Sequence, residues 1–247
     1  MARRIALALG VVLAVSLAGD LSVHAQPVAT TTLQLATPEP FAHKSARPKR
    51  VLPGTFVARV KPGRVVAVRS APGGPIVARL SSRTEFGSPR TFAVTRAGRG
   101  LRMITTELPN GRTGWLDAPG ALRLSRTTVS LELDLSTRVL HVRSGGRVVR
   151  RLTVGIGAPG TATPTGRFAI TDKLRGSDYS AVYGCCILAL SGHQTNLPRG
   201  WTGGDRLAIH GGSTAGAVST GCLHAATRDL VYLMRSVPLG AQITIHP

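Results

Sequence analysis

The chain has 247 residues, of which 43% are apolar, 17% charged and only 4% aromatic. That length holds one large domain or two modest ones with a real buried core, and a mean hydropathy of +0.12 excludes both a disordered tail and a polytopic membrane protein. Lysine and arginine total 31 against 11 acidic residues, a formal charge of +20. Such a field attracts polyanions, whether nucleic acid, anionic lipid or an acidic polymer.

Met1 to Ala25 reads as a secretory leader, with Arg3 and Arg4 as its positive start, Ile5 to Gly19 as its apolar run and Val23-His24-Ala25 as a small-residue cleavage site. At 15 residues the run falls short of the roughly 20 that span a bilayer. Export to the cell wall or periplasmic space is therefore the expected localisation; it makes nucleic acid a poor partner and an anionic cell-wall polymer a better one. Gln26 to Arg50, rich in Thr, Pro, Ala and basic residues, reads as a flexible linker.

From Val51 to Ser125 short apolar runs alternate with Gly/Pro turns: Phe56-Val57-Ala58, Val65 to Val68, Ile76-Val77-Ala78, Phe92-Ala93-Val94 and Leu101 to Ile104. That rhythm predicts a small all-β barrel or sandwich. Pro109-Asn110-Gly111 opens a hairpin into a strand bearing Trp115, which is expected in the core. Residues 51–125 resemble bacterial SH3-like modules.

From Arg126 the pattern sharpens. Val129, Leu131, Leu133 and Leu135 alternate with polar residues, as a half-buried strand requires. Further strands are predicted over Val139–Val142, Val148–Ile156, Phe168–Thr171 and Gly184–Leu190, with Ser144-Gly145-Gly146 as a turn. Thr227 is the expected N-cap of a short helix that places Leu230, Leu233 and Met234 on one face, and Gln242–Ile245 is a last strand. The fold class predicted is mainly β: residues 126–247 form a β-rich domain with a short helix, preceded by the smaller module.

Three cysteines, Cys185, Cys186 and Cys222, are an odd count for an exported chain, and an odd cysteine points to a free reactive thiol or an intermolecular bridge. Cys185 and Cys186 lie in an apolar run and are expected as core thiols, with a ring between them the geometrically demanding alternative. Cys222 differs. Ile209-His210-Gly211-Gly212 is followed after eight residues by Gly221-Cys222-Leu223-His224. An imidazole that takes the thiol proton makes sulfur a nucleophile. The small-residue turn Ser219-Thr220-Gly221-Cys222, expected to run into the helix, would offer backbone N–H groups to an oxyanion. Nucleophile, base and oxyanion donors in one stretch are what acyl transfer needs. One Cys-X-His pair lacks the paired spacing of zinc motifs, so neither metal nor cofactor is expected. His193 is expected in a solvated loop.

His210-Gly211, Ser219-X-Gly221-Cys222 and the upstream Thr163-Pro164-Thr165-Gly166-Arg167-Phe168, in this order, resemble the L,D-transpeptidase catalytic domain over residues 126–247. The resemblance implies a cysteine acyltransferase acting on peptidoglycan stem tetrapeptides, with Cys222 as nucleophile, His210 as general base and acid, and the Gly211 carbonyl orienting the histidine. It implies a stem thioester passed to a neighbouring stem amine, giving a 3→3 cross-link, and carbapenem-type β-lactams as inhibitors. Thr220 stands where many members carry His, and His224 where Arg or Asn is usual, so His224 is a second candidate base or a substrate contact. The alternatives are an L,D-carboxypeptidase using water as acceptor and a non-catalytic cationic wall-binding protein.

Overall fold

The structure, a computed structural model, describes residues 54–96 and 100–247; the expected leader and linker lie outside them. Seven strands follow one another through the first part: β1 (Thr55–Val60), β2 (Val66–Arg69), β3 (Ile76–Leu80), β4 (Thr91–Arg96), β5 (Leu101–Ile104), β6 (Gly114–Leu116) and β7 (Leu122–Thr127). They pair antiparallel in the order β3-β2-β6-β5-β4-β1-β7. Ala58, Val60, Val66, Val68, Phe92 and Met103 fill their core. Trp115 corrects the expectation of a core residue. On β6 Gly114 and Leu116 are the buried positions, so the two-residue period turns Trp115 to the other face, half-buried.

The remaining elements are β8 (Val129–Asp134), β9 (Val139–Ser144), β10 (Arg147–Thr153), β11 (Ile156–Gly157), β12 (Gly166–Arg175), β13 (Cys186–His193), β14 (Arg206–Gly211), β15 (Ala217–Ser219), β16 (Leu223–Ala225), α1 (Thr227–Ser236) and β17 (Gln242–His246). Eight of these strands form one sheet in the order β10-β9-β8-β17-β12-β13-β14-β16, and β11 pairs with β15 separately. The architecture is mainly β, as the sequence predicts. β13 is buried at all but its last position, and Leu230 and Leu233 of α1 join Leu188, Leu190, Leu207 and Ile209 in one core.

The helix start differs from expectation. Ala226, extended and without a side-chain hydrogen bond, occupies the cap position, and Thr227 is the first helical residue. β16 feeds the chain straight from the sheet into the helix and leaves no turn for a capping hydroxyl. Asp229 in the first turn complements the helix dipole instead, and it binds Arg150 at 2.7 Å. The Cys185 and Cys186 sulfurs are bonded to each other, which replaces the expected pair of core thiols.

The first sheet contacts the second through polar ties. The Asn110 side chain donates to the His193 carbonyl at 2.7 Å and accepts its N–H at 2.9 Å. His193 also sets its ring nitrogens on Asp205 and the Thr106 carbonyl, each at 2.9 Å; far from a solvated loop residue, it ends β13 as a tie point. The Thr84 hydroxyl donates to Asp172, whose side chain is fully buried and whose other oxygen has no partner. Thr84→Val removes that donor and leaves a buried carboxyl unmatched, so it is expected to cost about 1–3 kcal/mol. At this chain length that is a fall of roughly 2–12 °C in unfolding temperature, and Thr84→Ser is expected to restore most of it in a thermal melt.

Candidate active site

β14 and β16 run parallel, with Ile209 opposite Leu223, His210 opposite His224 and Gly211 opposite Ala225. Opposite residues of paired strands project to the same side, and residues two apart share it. His210 and His224 therefore share one face, their ring centroids 4.8 Å apart, and Cys222 precedes His224 by two positions. Ala208, His210, Cys222 and His224 line one cleft of about 500 Å³. Other parts of its wall are Tyr179, Val182 and Trp201, and Phe86 comes from the loop between β3 and β4.

His210 is buried, and its Nδ1 lies 2.8 Å from the Gly211 carbonyl. A carbonyl only accepts, so Nδ1 carries the hydrogen and Nε2 is left with its lone pair. Burial pushes the imidazole down to about 4; the Gly211 contact opposes this, and the charge of His224 adds to it. The Tyr183 and His210 rings pack nearly perpendicular, 4.9 Å between centroids. Burial likewise pushes the Cys222 thiol up, and Sγ lies 3.9 Å from the Arg206 carbonyl. The resting groups are thus a neutral thiol directed at the Arg206 carbonyl and a neutral imidazole on the same cleft, not a stored ion pair.

His224 is also lowered by burial, but its Nδ1 has no hydrogen-bond partner. Gly212 lies flat against that ring: a Cβ there would fall 2.6 Å from His224 Nδ1. His210 rests its Nδ1 on the Gly211 carbonyl, whereas His224 meets the Ser213 backbone and leaves its Nδ1 without a partner.

The turn before Cys222 is tied internally. Ser219 Oγ accepts the Gly221 N–H at 3.1 Å and donates to the Cys222 carbonyl at 2.6 Å. Ser219 lines the cleft and also ties the turn, its hydroxyl engaging the Gly221 N–H. Gly221 has φ of 105°, and a Cβ there would fall 2.2 Å from Gln194 Nε2; glycine is required on both counts. Thr220 reaches the cleft. A short strand, β16, separates Cys222 from the helix that this turn was expected to precede.

Two residues outside the predicted set complete the support. Thr163 Oγ1 accepts the Gly157 N–H and donates to the Gly221 carbonyl, both at 2.9 Å. Gln194, buried, donates to the carbonyls of Thr161 at 3.0 Å, Ala162 at 3.1 Å and Thr220 at 3.4 Å. Thr163 sits in a motif the sequence displays, although its partner lies 58 positions away. Gln194 carries no local signal. Among the described residues no three His, Cys, Asp or Glu side chains come together as a metal site.

Residues 128–245 match the family described as YkuD, the L,D-transpeptidase catalytic domain. YkuD of Bacillus subtilis (strain 168) is 27% identical over 121 residues, which are 47% of this chain and 65% of that protein. YkuD of Bacillus licheniformis is 28% identical over 134 residues, 52% of this chain and 72% of that protein. Among solved structures, an L,D-transpeptidase from Mycobacterium smegmatis is similar over 78% of this chain and 99% of its own, at 15% identity and a TM-score of 0.40. L,D-transpeptidase 3 from Mycobacterium tuberculosis, in complex with a faropenem-derived adduct, is similar over 64% and 73%, at 15% identity and a TM-score of 0.38.

Proposed function

We propose that the chain, whose residues 128–245 match the L,D-transpeptidase catalytic-domain family, is an exported enzyme that forms 3→3 cross-links in peptidoglycan through a Cys222 thioester. The observation that carries this reading is the shared cleft of Cys222 and His210, with the imidazole held in the base tautomer by Gly211.

The chemistry follows from those groups. His210 Nε2 takes the thiol proton as Sγ attacks the carbonyl carbon before the terminal D-alanine of a donor stem. The resulting oxyanion is received by backbone N–H at the tied turn, with Cys222 N–H adjacent to the sulfur. Collapse breaks the C–N bond, and the departing amine takes its proton from His210, leaving the thioester. An acceptor side-chain amine then gives a proton to His210, attacks the thioester and forms the amide, while the proton returns to sulfur. With water in place of the amine, the same steps release a tripeptide. Thr220 and His224 line the cleft wall and would contact the stem.

The test is intact-protein mass spectrometry after incubation with disaccharide-tetrapeptide and acid quenching. The expected result is an increment of the donor less D-alanine, removed by hydroxylamine, together with cross-linked dimers. A carbapenem should acylate the same sulfur. Tripeptides without dimers would assign the carboxypeptidase reaction, and no increment would leave the non-catalytic wall-binding reading.

A further inference from the structure

The first sheet carries a groove unrelated to the cleft. A concavity of about 470 Å³ is lined by Arg59, Lys61, Arg83 and Arg123, with Ser82 and Pro89 between them. A second, of about 310 Å³, shares Arg59 and Arg123 and extends past Arg126 to Pro238 and Leu239. All five basic residues are exposed.

Their arrangement is unfavourable for the chain alone. Arg59 on β1 and Arg123 on β7 are directly opposite in register, and like charges placed so repel across the strands. Among the described residues no carboxylate neutralises them. Every carboxylate among the described residues is engaged elsewhere: by arginines outside the groove, by His193, by Thr84 or by the Ser136–Thr137 turn. Two of the cations are nevertheless held in position. Lys61 Nζ donates to the Gly120 carbonyl at 2.9 Å, and Arg83 Nη1 to the Gly87 carbonyl at 2.7 Å. A carbonyl fixes the side chain without cancelling its charge, and further donors on each head stay available.

We propose that this groove binds a linear anionic polymer whose charges lie along its backbone. Guanidinium forks match oxyanions, and two joined concavities sharing Arg59 and Arg123 suit a chain better than a single small anion. The lining holds no aromatic residue, so it lacks the stacking platforms that single-stranded nucleic acid uses. Its concavity does not fit the flat face of a bilayer.

The test titrates the full chain into fluorescently labelled inorganic polyphosphate and follows anisotropy at several salt concentrations. Arg59→Gln/Arg123→Gln is expected to weaken binding at least tenfold and to flatten the dependence of log K on log salt by about 2, one for each lost contact. Arg147→Gln/Arg151→Gln, which removes two exposed arginines outside the groove, is expected to weaken it less than threefold. Equal losses in both variants would overturn the proposal in favour of diffuse attraction. Tighter binding of single-stranded DNA or of phosphatidylglycerol vesicles, lost in the same groove variant, would also overturn it. Arg123→Glu, which sets opposite charges across the strands, is expected to abolish binding while raising the unfolding temperature; retained binding in this folded variant contradicts the assignment.

Discussion

Cys222→Ala is expected to form no acyl adduct and no cross-linked or trimmed product, and His210→Gln to lower kcat/KM by roughly 10²–10⁴-fold, the usual worth of a positioned general base. The second figure follows from the resting state of the pair. With the thiol pushed up and the imidazole down to about 4, very little thiolate exists at neutral pH unless a base takes the proton during attack. Glutamine preserves much of the histidine's volume and polarity but cannot accept that proton. The assay is dimer formation from disaccharide-tetrapeptide, read by mass, and activity within threefold of wild type in His210→Gln would overturn the assignment of the base.

The same imidazole sets a pH dependence. In the unfolded chain it takes a proton near 6.5, while in the fold it resists protonation until about 4. Between those values the unfolded state binds more protons, so stability falls as pH falls. Above about 6.5 the full stability is present, and below about 4 there is no further loss from this group. At about 1.4 kcal/mol per pKa unit the window is worth roughly 3 kcal/mol. Unfolding temperatures taken across that window should fall toward acid in the wild type and much less so in His210→Gln. Activity requires the imidazole neutral and the thiol able to supply its proton, which predicts an acid limb near pH 4 and a plateau through neutrality.

How much of this is written locally in the chain varies by element. The alternation Val129, Leu131, Leu133 on β8 survives intact, because one face of that strand packs on the core and the other does not. β16 escapes such reading: three residues, Leu223-His224-Ala225, are too few to show a period, and small residues before Cys222 resemble a helix approach. β7 escapes it because Leu124 is exposed, so its leucines do not mark one buried face. His210 and Cys222 are legible as a pair since both flank short glycine-rich turns close in sequence. The contacts that hold them, from Thr163 and Gln194, are set by chain crossings 26 to 58 positions apart, and no local pattern encodes a crossing.

Thr163 gives the sharpest test of that support. Its side chain is buried, and its single hydroxyl closes two backbone groups at once, the Gly157 N–H and the Gly221 carbonyl. Thr163→Val keeps the shape and removes both bonds, orphaning a donor and an acceptor out of reach of water. At about 1–3 kcal/mol for each unsatisfied buried group, the expected loss is roughly 2–5 kcal/mol, the largest of any substitution considered outside the reacting pair. Activity should fall further than stability alone explains. Gly221 precedes the nucleophile, and a turn released from Thr163 would let Sγ drift from His210, where a displacement near 1 Å costs on the order of 100-fold. Thr163→Ser, which retains the hydroxyl, is expected to recover most of both. The two readouts separate the roles: chemical denaturation measures the lost bonds, and kcat at a temperature where the variant is fully folded measures the misplaced sulfur. A variant that is destabilised yet keeps its kcat would show that the hydroxyl holds the fold without positioning Cys222.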